Sequence, residues 1–300
     1  MGCIQERGEN VRDYSIVFAS FNRPKSLERG LKSITDSQYT FSSKVVVDDC
    51  SEPANLDYIK HACKEHGFTL ITKVRNICLS HSWNLGLIFS KSRYVIKNVD
   101  DISYKNKDDW LQYFEDGFDK GFYKVRLYKS SAYGFDKTLI TRVGWFDEGY
   151  QNALAEDTDY ELRMNLVLFG GIVAPPKSYL PNVFNEPFDE YGNSCILHKT
   201  EAGESRPWTN TQYINHAYFF KKWKVPFEKI YELNPSLKNA LSSERGRGWE
   251  IVNYAEYYCL VDKDVKEKII YPEITEQYAN GNYGLVEGFQ DDRIKEIIIS

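Results

Sequence analysis

Short apolar segments alternate with amphipathic segments through the first half of the chain, and this alternation restricts the fold more than any other feature. Four of the apolar segments have the length and composition of buried strands: YSIVFAS (14–20), KVVVDDCS (44–51), FTLITK (68–73) and YVIKNVDD (94–101). The segments between them carry apolar side chains at helical spacing, as at Leu27, Leu31 and Ile34. Strands that alternate with helices of this length predict an α/β fold in which helices cover both faces of a mostly parallel sheet.

The alternation fades after residue 171, which suggests a change in organisation. Residues 174–194 are rich in proline, asparagine and aromatic side chains, a composition typical of irregular chain. Helical patterns return at 209–230 and 235–246. A chain of 300 residues can hold one large domain with an extension. We therefore predict a first domain over 1–204 and a mainly helical C-terminal extension over 205–300.

The charge and the cysteines narrow the class of protein. The formal net charge of -5 makes dense coverage of nucleic-acid phosphates an unfavoured function. The six cysteines are scattered without a C-x-x-C pair, so neither disulfides nor a structural zinc site is expected. No apolar run approaches the roughly 18 residues of a membrane span. These features together predict a soluble protein of a reducing compartment, the cytoplasm.

Acidic pairs follow two of the predicted strands. Asp48 and Asp49 end the second strand, and Asp100 and Asp101 end the fourth. Ligands of open α/β sheets bind outside the carboxyl ends of the strands, so we expect the two pairs to converge. Carboxylates there can accept hydrogen bonds from a nucleotide, and they are hard oxygen ligands suited to Mg²⁺ or Mn²⁺. The alternative for each pair is a solvated strand end or a turn.

A third acidic cluster lies within GWFDEGYQNALAEDTDYELRMNLVLFGG (144–171). Glu156, Asp157 and Asp159 precede or begin an amphipathic helix that ends at glycines. Acids are favourable in a first helical turn without any catalytic duty. Arg163 follows Asp159 by four residues, a spacing at which an ion pair forms readily on one helix face.

In this order, the motifs resemble those of family 2 glycosyltransferases with the GT-A fold. The resemblance covers about residues 14–200 and is carried by SIVFASFNRPKSLERGLKSI, VVVDDCS, NVDDIS and the segment 144–171. It implies a Rossmann-like, mostly parallel sheet flanked by helices. It also implies transfer of a sugar from a nucleoside diphosphate donor, with a UDP-sugar favoured, to an acceptor hydroxyl.

The same resemblance assigns roles to individual residues. The implied donor-binding residues are Ser20, Asn22, Arg23, Asp48, Asp49, Asn84, Asp100 and Arg163. The implied ligands of a Mn²⁺ or Mg²⁺ ion are Asp100, Asp101 and His198, the histidine of CILHKTEAGES (195–205). NVDDIS aligns with the metal motif either as Asn98-x-Asp100 or as Val99-Asp100-Asp101, so either aspartate, or both, can be the principal ligand.

The catalytic residues implied by the resemblance are Asp157 and Glu156. An inverting transfer needs a carboxylate that takes the proton of the acceptor hydroxyl as the new bond forms, and Asp157 matches that general base. Glu156 either orients an acceptor hydroxyl or stabilises the helix start.

Two other functions compete with this interpretation. A sugar nucleotidyltransferase would need a glycine-rich phosphate loop after the first strand, which SFNRPKSLERG does not offer. A non-catalytic GT-A module that binds saccharide or serves as a scaffold is the second alternative, suggested by Asn98 in the metal motif. The expected acceptor is a saccharide or glycoconjugate. A modified nucleic-acid base is a less favoured acceptor, suggested by cations and aromatics in YFFKKWK (218–224) and RGRGW (245–249).

Overall fold

A computed structural model describes eight stretches of the chain, and all structural statements concern these: 12–37, 39–104, 110–128, 132–153, 155–169, 209–223, 270–286 and 288–299. The strands are β1 (Tyr14–Ser20), β2 (Ser43–Asp48), β3 (Thr69–Lys73), β4 (Tyr94–Val99), β5 (Lys124–Tyr128), β6 (Ala132–Asp136) and β7 (Ile294–Ile298). The helices are α1 (Pro24–Thr35), α2 (Pro53–His66), α3 (Leu79–Phe89), α4 (Trp110–Asp119), α5 (Thr138–Val143), α6 (Glu156–Phe169), α7 (Thr209–Trp223) and α8 (Pro272–Ala279).

The described strands form one mixed sheet of seven in the order β5-β6-β4-β1-β2-β3-β7. The central four strands, β4, β1, β2 and β3, are parallel. At one side β6 runs antiparallel to β4, and β5 antiparallel to β6. At the other side β7 runs antiparallel to β3. The predicted fold class, a mostly parallel sheet flanked by helices, is confirmed.

The two faces of the sheet are covered by separate apolar clusters. One contains Phe18, Val46 and Ile96 with side chains of α1, α2 and α4. The other contains Val17, Val47 and side chains of α3, α5, α6 and α8. All seven residues of β1 are buried, as expected for a central strand covered on both faces. The predicted strands and helices between residues 14 and 99 are therefore confirmed by both position and burial.

Helix α3 lies unusually close to the sheet at Gly86. A Cβ atom added to Gly86 would lie 2.3 Å from Cγ1 of Val17 in β1. Only a residue without a side chain allows this approach. The close contact fixes the height of α3 above the sheet and thereby the position of Trp83, which faces the candidate site.

The last described part of the chain adds a helix and an edge strand to the sheet domain. Helix α8 packs against the β1–α6 body through Ile274 and Tyr278, and β7 joins the central sheet. The boundary at residue 204 stays a prediction, but residues 270–299 return to the sheet, which the sequence pattern did not indicate. None of the described helices combines the length and the apolar character that a membrane crossing requires.

Candidate active site

The loop after β1 joins the ends of β2 and β4. The backbone N–H of Phe21 donates to Oδ2 of Asp100 at 3.1 Å, and that of Asn22 donates to Oγ of Ser51 at 2.7 Å. Asn22 has a φ of 55°, a left-handed conformation that asparagine tolerates better than most residues. Its side-chain oxygen accepts from the N–H of Glu52 at 2.7 Å. The parallel pairing of β1 with β2 and β4 brings the two strand-end acid pairs to one edge of the sheet, and this loop bonds to both strand ends.

Asp48 has a buried position at the end of β2. Its carboxylate accepts from the N–H of Ser51 at 2.9 Å and from the Ser51 hydroxyl at 2.5 Å. Burial raises the pKa of Asp48, and the two bonds from Ser51 act against this rise. Asp48 therefore shapes the turn on which the β1 loop rests.

Asp49 is held by a buried lysine. Nζ of Lys73, at the end of β3, lies 2.5 Å from its Oδ1, and the N–H of Ile77 donates to the same oxygen at 3.1 Å. Burial raises the pKa of Asp49, whereas Lys73 lowers it.

Two buried hydroxyls flank Asp48 across the strand ends. Ser20 of β1 and Thr72 of β3 are the register partners of Asp48. Neither hydroxyl has a hydrogen-bond partner among the described residues, although Ser20 and Thr72 are only 3% and 1% exposed. Buried polar atoms are nearly always paired in folded proteins, so this row has hydrogen-bonding capacity for a ligand.

Asp100 and Asp101 face a common cation, the guanidinium of Arg23. Nη1 of Arg23 lies 3.2 Å from Oδ1 of Asp100 and 3.5 Å from Oδ2 of Asp101. Two carboxylates directed at one positive charge form a donor set that also suits Mg²⁺ or Mn²⁺. Asn98 has a different partner, since its side-chain oxygen accepts from the Tyr104 hydroxyl at 2.5 Å.

The acids of the third cluster begin α6 and differ in exposure. Glu156 is 3% exposed, whereas the side chain of Asp157 is 15% exposed. Ala155 precedes them with a φ of 74°, which is strained for a residue with a Cβ atom. Asp157 is thus the member of the pair that a substrate can reach.

Lys97, in the middle of β4, contacts Asp157. Its Nζ donates to Oδ1 of Asp157 at 3.1 Å and also bonds the hydroxyl of Tyr133. The ammonium lies 3.9 Å from the ring centre of Trp83 and 4.5 Å from that of Phe146. Burial lowers the pKa of Lys97 to about 8, and the Asp157 carboxylate limits this fall.

Asp159 anchors α7 to α6. Its carboxylate accepts from Arg163 Nε at 2.9 Å, Trp223 Nε1 at 2.8 Å and the Tyr150 hydroxyl at 3.2 Å, and Lys222 Nζ lies 2.7 Å away. Burial opposes ionisation, but Lys222 and Arg163 lower the pKa of Asp159 overall. The predicted pair of Asp159 with Arg163 is confirmed.

One cation of the suggested nucleic-acid surface, Lys222, is buried in the structure. It is 4% exposed and pairs with Asp147 and Asp159, so it does not contribute a free cation to YFFKKWK. Residues 245–249 lie outside the described residues.

Arg163 and Asn84 make contacts within the protein. Nη1 of Arg163 donates to the carbonyl of Val143 at 2.9 Å, while Nη2 has no hydrogen-bond partner among the described residues. The Asn84 side-chain amide donates to the Phe146 carbonyl and to Glu148, both at 2.9 Å, and accepts from the Phe146 N–H at 3.0 Å. Their predicted roles in donor binding stay predictions.

The loop containing Glu148 is also tied to the end of the chain. Glu148 accepts from the hydroxyl of Tyr271 at 2.8 Å and pairs with Arg293. Arg293 in turn binds Asp291, which lies 3.2 Å from Nε2 of His81 at the start of α3. These contacts join the loop before α6 to α3 and to the segment before β7.

The predicted metal ligand His198 lies outside the described residues. Within them, Glu28, Glu65 and His66 form a group whose ligand atoms lie within 4.8 Å of one another. This group is on α1 and α2 and contains none of the predicted ligands.

A family comparison decides the class of the protein. The model of glycosyl transferase family 2 matches residues 15–167, about half of the chain. The chain belongs to glycosyl transferase family 2. The resemblance drawn from the motifs is confirmed, and with it the assignment as a glycosyltransferase. The matched residues run from β1 through most of α6 and hence contain all three acidic clusters.

Solved structures resemble this glycosyltransferase weakly. The mannosyltransferase PcManGT from Pyrobaculum calidifontis, in complex with GDP-Man and Mn²⁺, has 14% identity and a TM-score of 0.43 over 81% of this chain and 92% of its own. TarS of S. aureus has 14% identity and a TM-score of 0.42 over 90% of this chain and 54% of its own. GalNAc-T7 with UDP, GalNAc and Mn²⁺ has 14% identity and a TM-score of 0.39 over 52% and 40%. No curated protein matches the glycosyltransferase.

Sequence reasoning missed several residues that shape the site of the glycosyltransferase. Lys97 carries a detectable signal, because a lysine in the middle of an apolar central strand is rarely buried without a partner. Tyr133 and Trp223 carry none, since buried aromatic side chains are ordinary core residues.

Proposed function

We propose that this glycosyltransferase is metal-dependent and inverting, and that it moves a sugar from a nucleoside diphosphate sugar to an acceptor hydroxyl. One observation carries the proposal: Lys97 of β4 holds Asp157 of α6 at 3.1 Å. Asp100 comes three residues after Lys97 along the chain, a distance of about 10 Å in extended backbone. The acid of α6 is thereby kept near the strand-end acids.

The donor is proposed to bind at the ends of β1, β2 and β4. The unpaired hydroxyl of Ser20, the loop residues Asn22 and Arg23, and the acids of β2 offer acceptors and donors to a nucleotide. Asp100 and Asp101 would hold Mn²⁺ or Mg²⁺, with His198 as a further ligand proposed from the motif alone. When bound, such an ion neutralises charge on the diphosphate.

The transfer is proposed to be a single displacement. The acceptor oxygen forms a bond to the anomeric carbon while the bond from that carbon to the diphosphate oxygen breaks, and the bonding electrons leave with the nucleoside diphosphate. Asp157 takes the proton of the acceptor hydroxyl. Attack opposite the leaving group inverts the anomeric configuration. Glu156, which is buried, is proposed to support this helix start and the orientation of the acceptor.

For the substrates we propose a UDP-sugar donor and a saccharide or glycoconjugate acceptor. The internal ion pairs of Lys222 weaken the case for a nucleic-acid acceptor. The cytoplasmic location inferred from the cysteines stays a prediction.

The proposal is tested by hydrolysis of nucleotide sugars without an acceptor. UDP- and GDP-sugars are incubated with the protein and Mn²⁺, and release of the nucleoside diphosphate is measured. We expect slow, Mn²⁺-dependent release from one UDP-sugar, and a rate about 10² to 10⁴ lower in Asp157→Asn. If no donor is cleaved and none raises the melting temperature, the catalytic proposal is wrong and a non-catalytic module is favoured.

A further inference from the structure

We propose that Lys97 is a positioning residue for the general base, holding one oxygen of the Asp157 carboxylate so that the other meets the acceptor hydroxyl. The inference rests on the proposed function. Lys97 itself is 2% exposed and lies behind the carboxylate, so it acts through Asp157 and does not touch the substrate.

The surroundings of Lys97 leave it one direction in which to act. Its ammonium is enclosed by the rings of Trp83, Tyr133 and Phe146, with ring centres at 3.9, 4.3 and 4.5 Å. Aromatic faces stabilise a cation but cannot accept a strong charged hydrogen bond. Because a buried ammonium needs an anionic or polar partner, Asp157 and the Tyr133 hydroxyl supply its hydrogen bonds.

The contacts of Asp157 are one-sided. Both Lys97 Nζ and the Tyr133 hydroxyl contact Oδ1, at 3.1 and 3.4 Å. No hydrogen bond to Oδ2 is made within the described part of the chain. A carboxylate fixed through Oδ1 presents its second oxygen in a defined direction, which is the requirement for a base that must meet one hydroxyl proton.

Further titratable groups surround Lys97 and influence its pKa. Those that face it are Asp157 and Glu156 of α6, Tyr133 of β6 and Lys124 of β5. The two acids favour the ammonium, whereas Lys124 opposes it.

A double-mutant cycle tests whether Lys97 acts through Asp157. Hydrolysis of the nucleotide sugar that the wild-type protein cleaves is measured for Lys97→Met, Asp157→Asn and the double variant. We expect Lys97→Met to lower kcat about 10- to 100-fold with KM within a few-fold, against about 10² to 10⁴ for Asp157→Asn. The double variant should be no slower than Asp157→Asn alone. Multiplied losses would overturn the proposal, since Lys97 would then act independently of the base.

Rescue by a neutral donor separates positioning from a purely structural role. Lys97→Gln can still donate a hydrogen bond to Asp157, so we expect it to recover part of the kcat that Lys97→Met loses. No recovery in Lys97→Gln, at a melting temperature equal to that of Lys97→Met, would overturn the proposal.

Lys137 offers a matched control. It is also fully buried and lies 4.9 Å from an aromatic ring centre, that of Tyr278, but its Nζ donates to the carbonyls of Ser90 and Tyr283. It follows β6 beside the start of β4, at the other end of the sheet from Asp100. Lys137→Met should keep kcat and KM at any loss of melting temperature. An equal fall of kcat in Lys137→Met would assign the effect to general destabilisation and overturn the proposal. An unchanged Asp157→Asn would instead overturn the proposed base, and the inference with it.

Discussion

Asp157 and Glu156 are neighbours with different access to a substrate. The exposed fraction of the Asp157 side chain is 15%, while Glu156 is 3% exposed at the same helix start. Both positions gain from the positive end of the helix dipole, so the dipole does not distinguish them. Access and the contact with Lys97 do, and they support Asp157 as the proposed base.

Replacing Asp157 with Asn should separate binding from chemistry. The amide keeps the size of the side chain but lacks the basic oxygen, so turnover should fall by about 10² to 10⁴ while donor affinity stays within a few-fold. Turnover is measured by diphosphate release and affinity by isothermal titration. If Glu156→Gln abolishes turnover and Asp157→Asn does not, the two roles are exchanged.

Burial of Lys97 should also make the free energy of unfolding depend on pH. Burial lowers its pKa to about 8 from the ordinary 10.5, so between these values the unfolded chain binds more protons than the folded protein. The free energy of unfolding of the wild type should therefore rise relative to that of Lys97→Met as pH increases, by at most about 3 kcal/mol. Urea unfolding of both proteins from about pH 7 to about pH 10 measures this difference. A difference that stays constant over this range would contradict the buried-ammonium account.

Among the elements, the parallel strands and their helices were predictable because local pattern and tertiary role agree. β1 and β2 are continuous apolar runs since both faces are covered, and α1 buries the predicted Leu27, Leu31 and Ile34. β5, β6 and β7 were missed. The β7 sequence IKEII mixes charged and apolar residues at a sheet edge, where one side of the strand meets solvent.

The candidate site was predictable where acidic residues lie at the ends of strands and helices. The convergence of Asp48 and Asp100 follows from parallel topology alone. The anchoring of α7 on Asp159 does not, because it depends on a contact between residues 64 positions apart that local patterns cannot report. The same applies to Asn84, whose side chain binds the loop at Phe146.

Gly86 sets the packing of α3, and Gly86→Ala should show how tightly. The new Cβ would lie 2.3 Å from Val17 Cγ1, so either the helix or the strand must shift. We expect a loss of about 1–3 kcal/mol in the free energy of unfolding despite the better helix propensity of alanine.

Two comparisons check the Gly86 prediction by chemical denaturation. Val17→Ala removes the clashing atom, so its combination with Gly86→Ala should cost less than the sum of the single changes. Gly284→Ala is the control, since its Cβ would meet its nearest atom only at 3.4 Å. Gly86→Ala as stable as the wild type would show that the contact relaxes freely.

For the whole molecule, donor and metal are expected to stabilise the fold together. The carboxylates of Asp100 and Asp101 both face Arg23. A divalent ion bound by them would need further oxygen ligands, and a diphosphate would supply these, so each should raise the affinity for the other. UDP with Mn²⁺ should raise the melting temperature by more than the separate shifts of UDP and Mn²⁺ combined. Asp100→Asn should reduce this joint shift. Equal shifts of the melting temperature by UDP with and without Mn²⁺ would contradict a donor site that is bridged by a metal ion.

The position of β7 also has a consequence for synthesis. β3 leaves the ribosome roughly 200 residues before its partner β7, with which it pairs from Leu70 to Lys73. At about 5–20 residues per second, the backbone N–H and C=O groups along that side of β3 lack this partner for on the order of ten seconds or more. An unpaired strand edge is a template for pairing with other chains. During translation of the long segment between these two strands, this edge of the nascent protein is therefore a site at which misassembly can begin and chaperone protection can act.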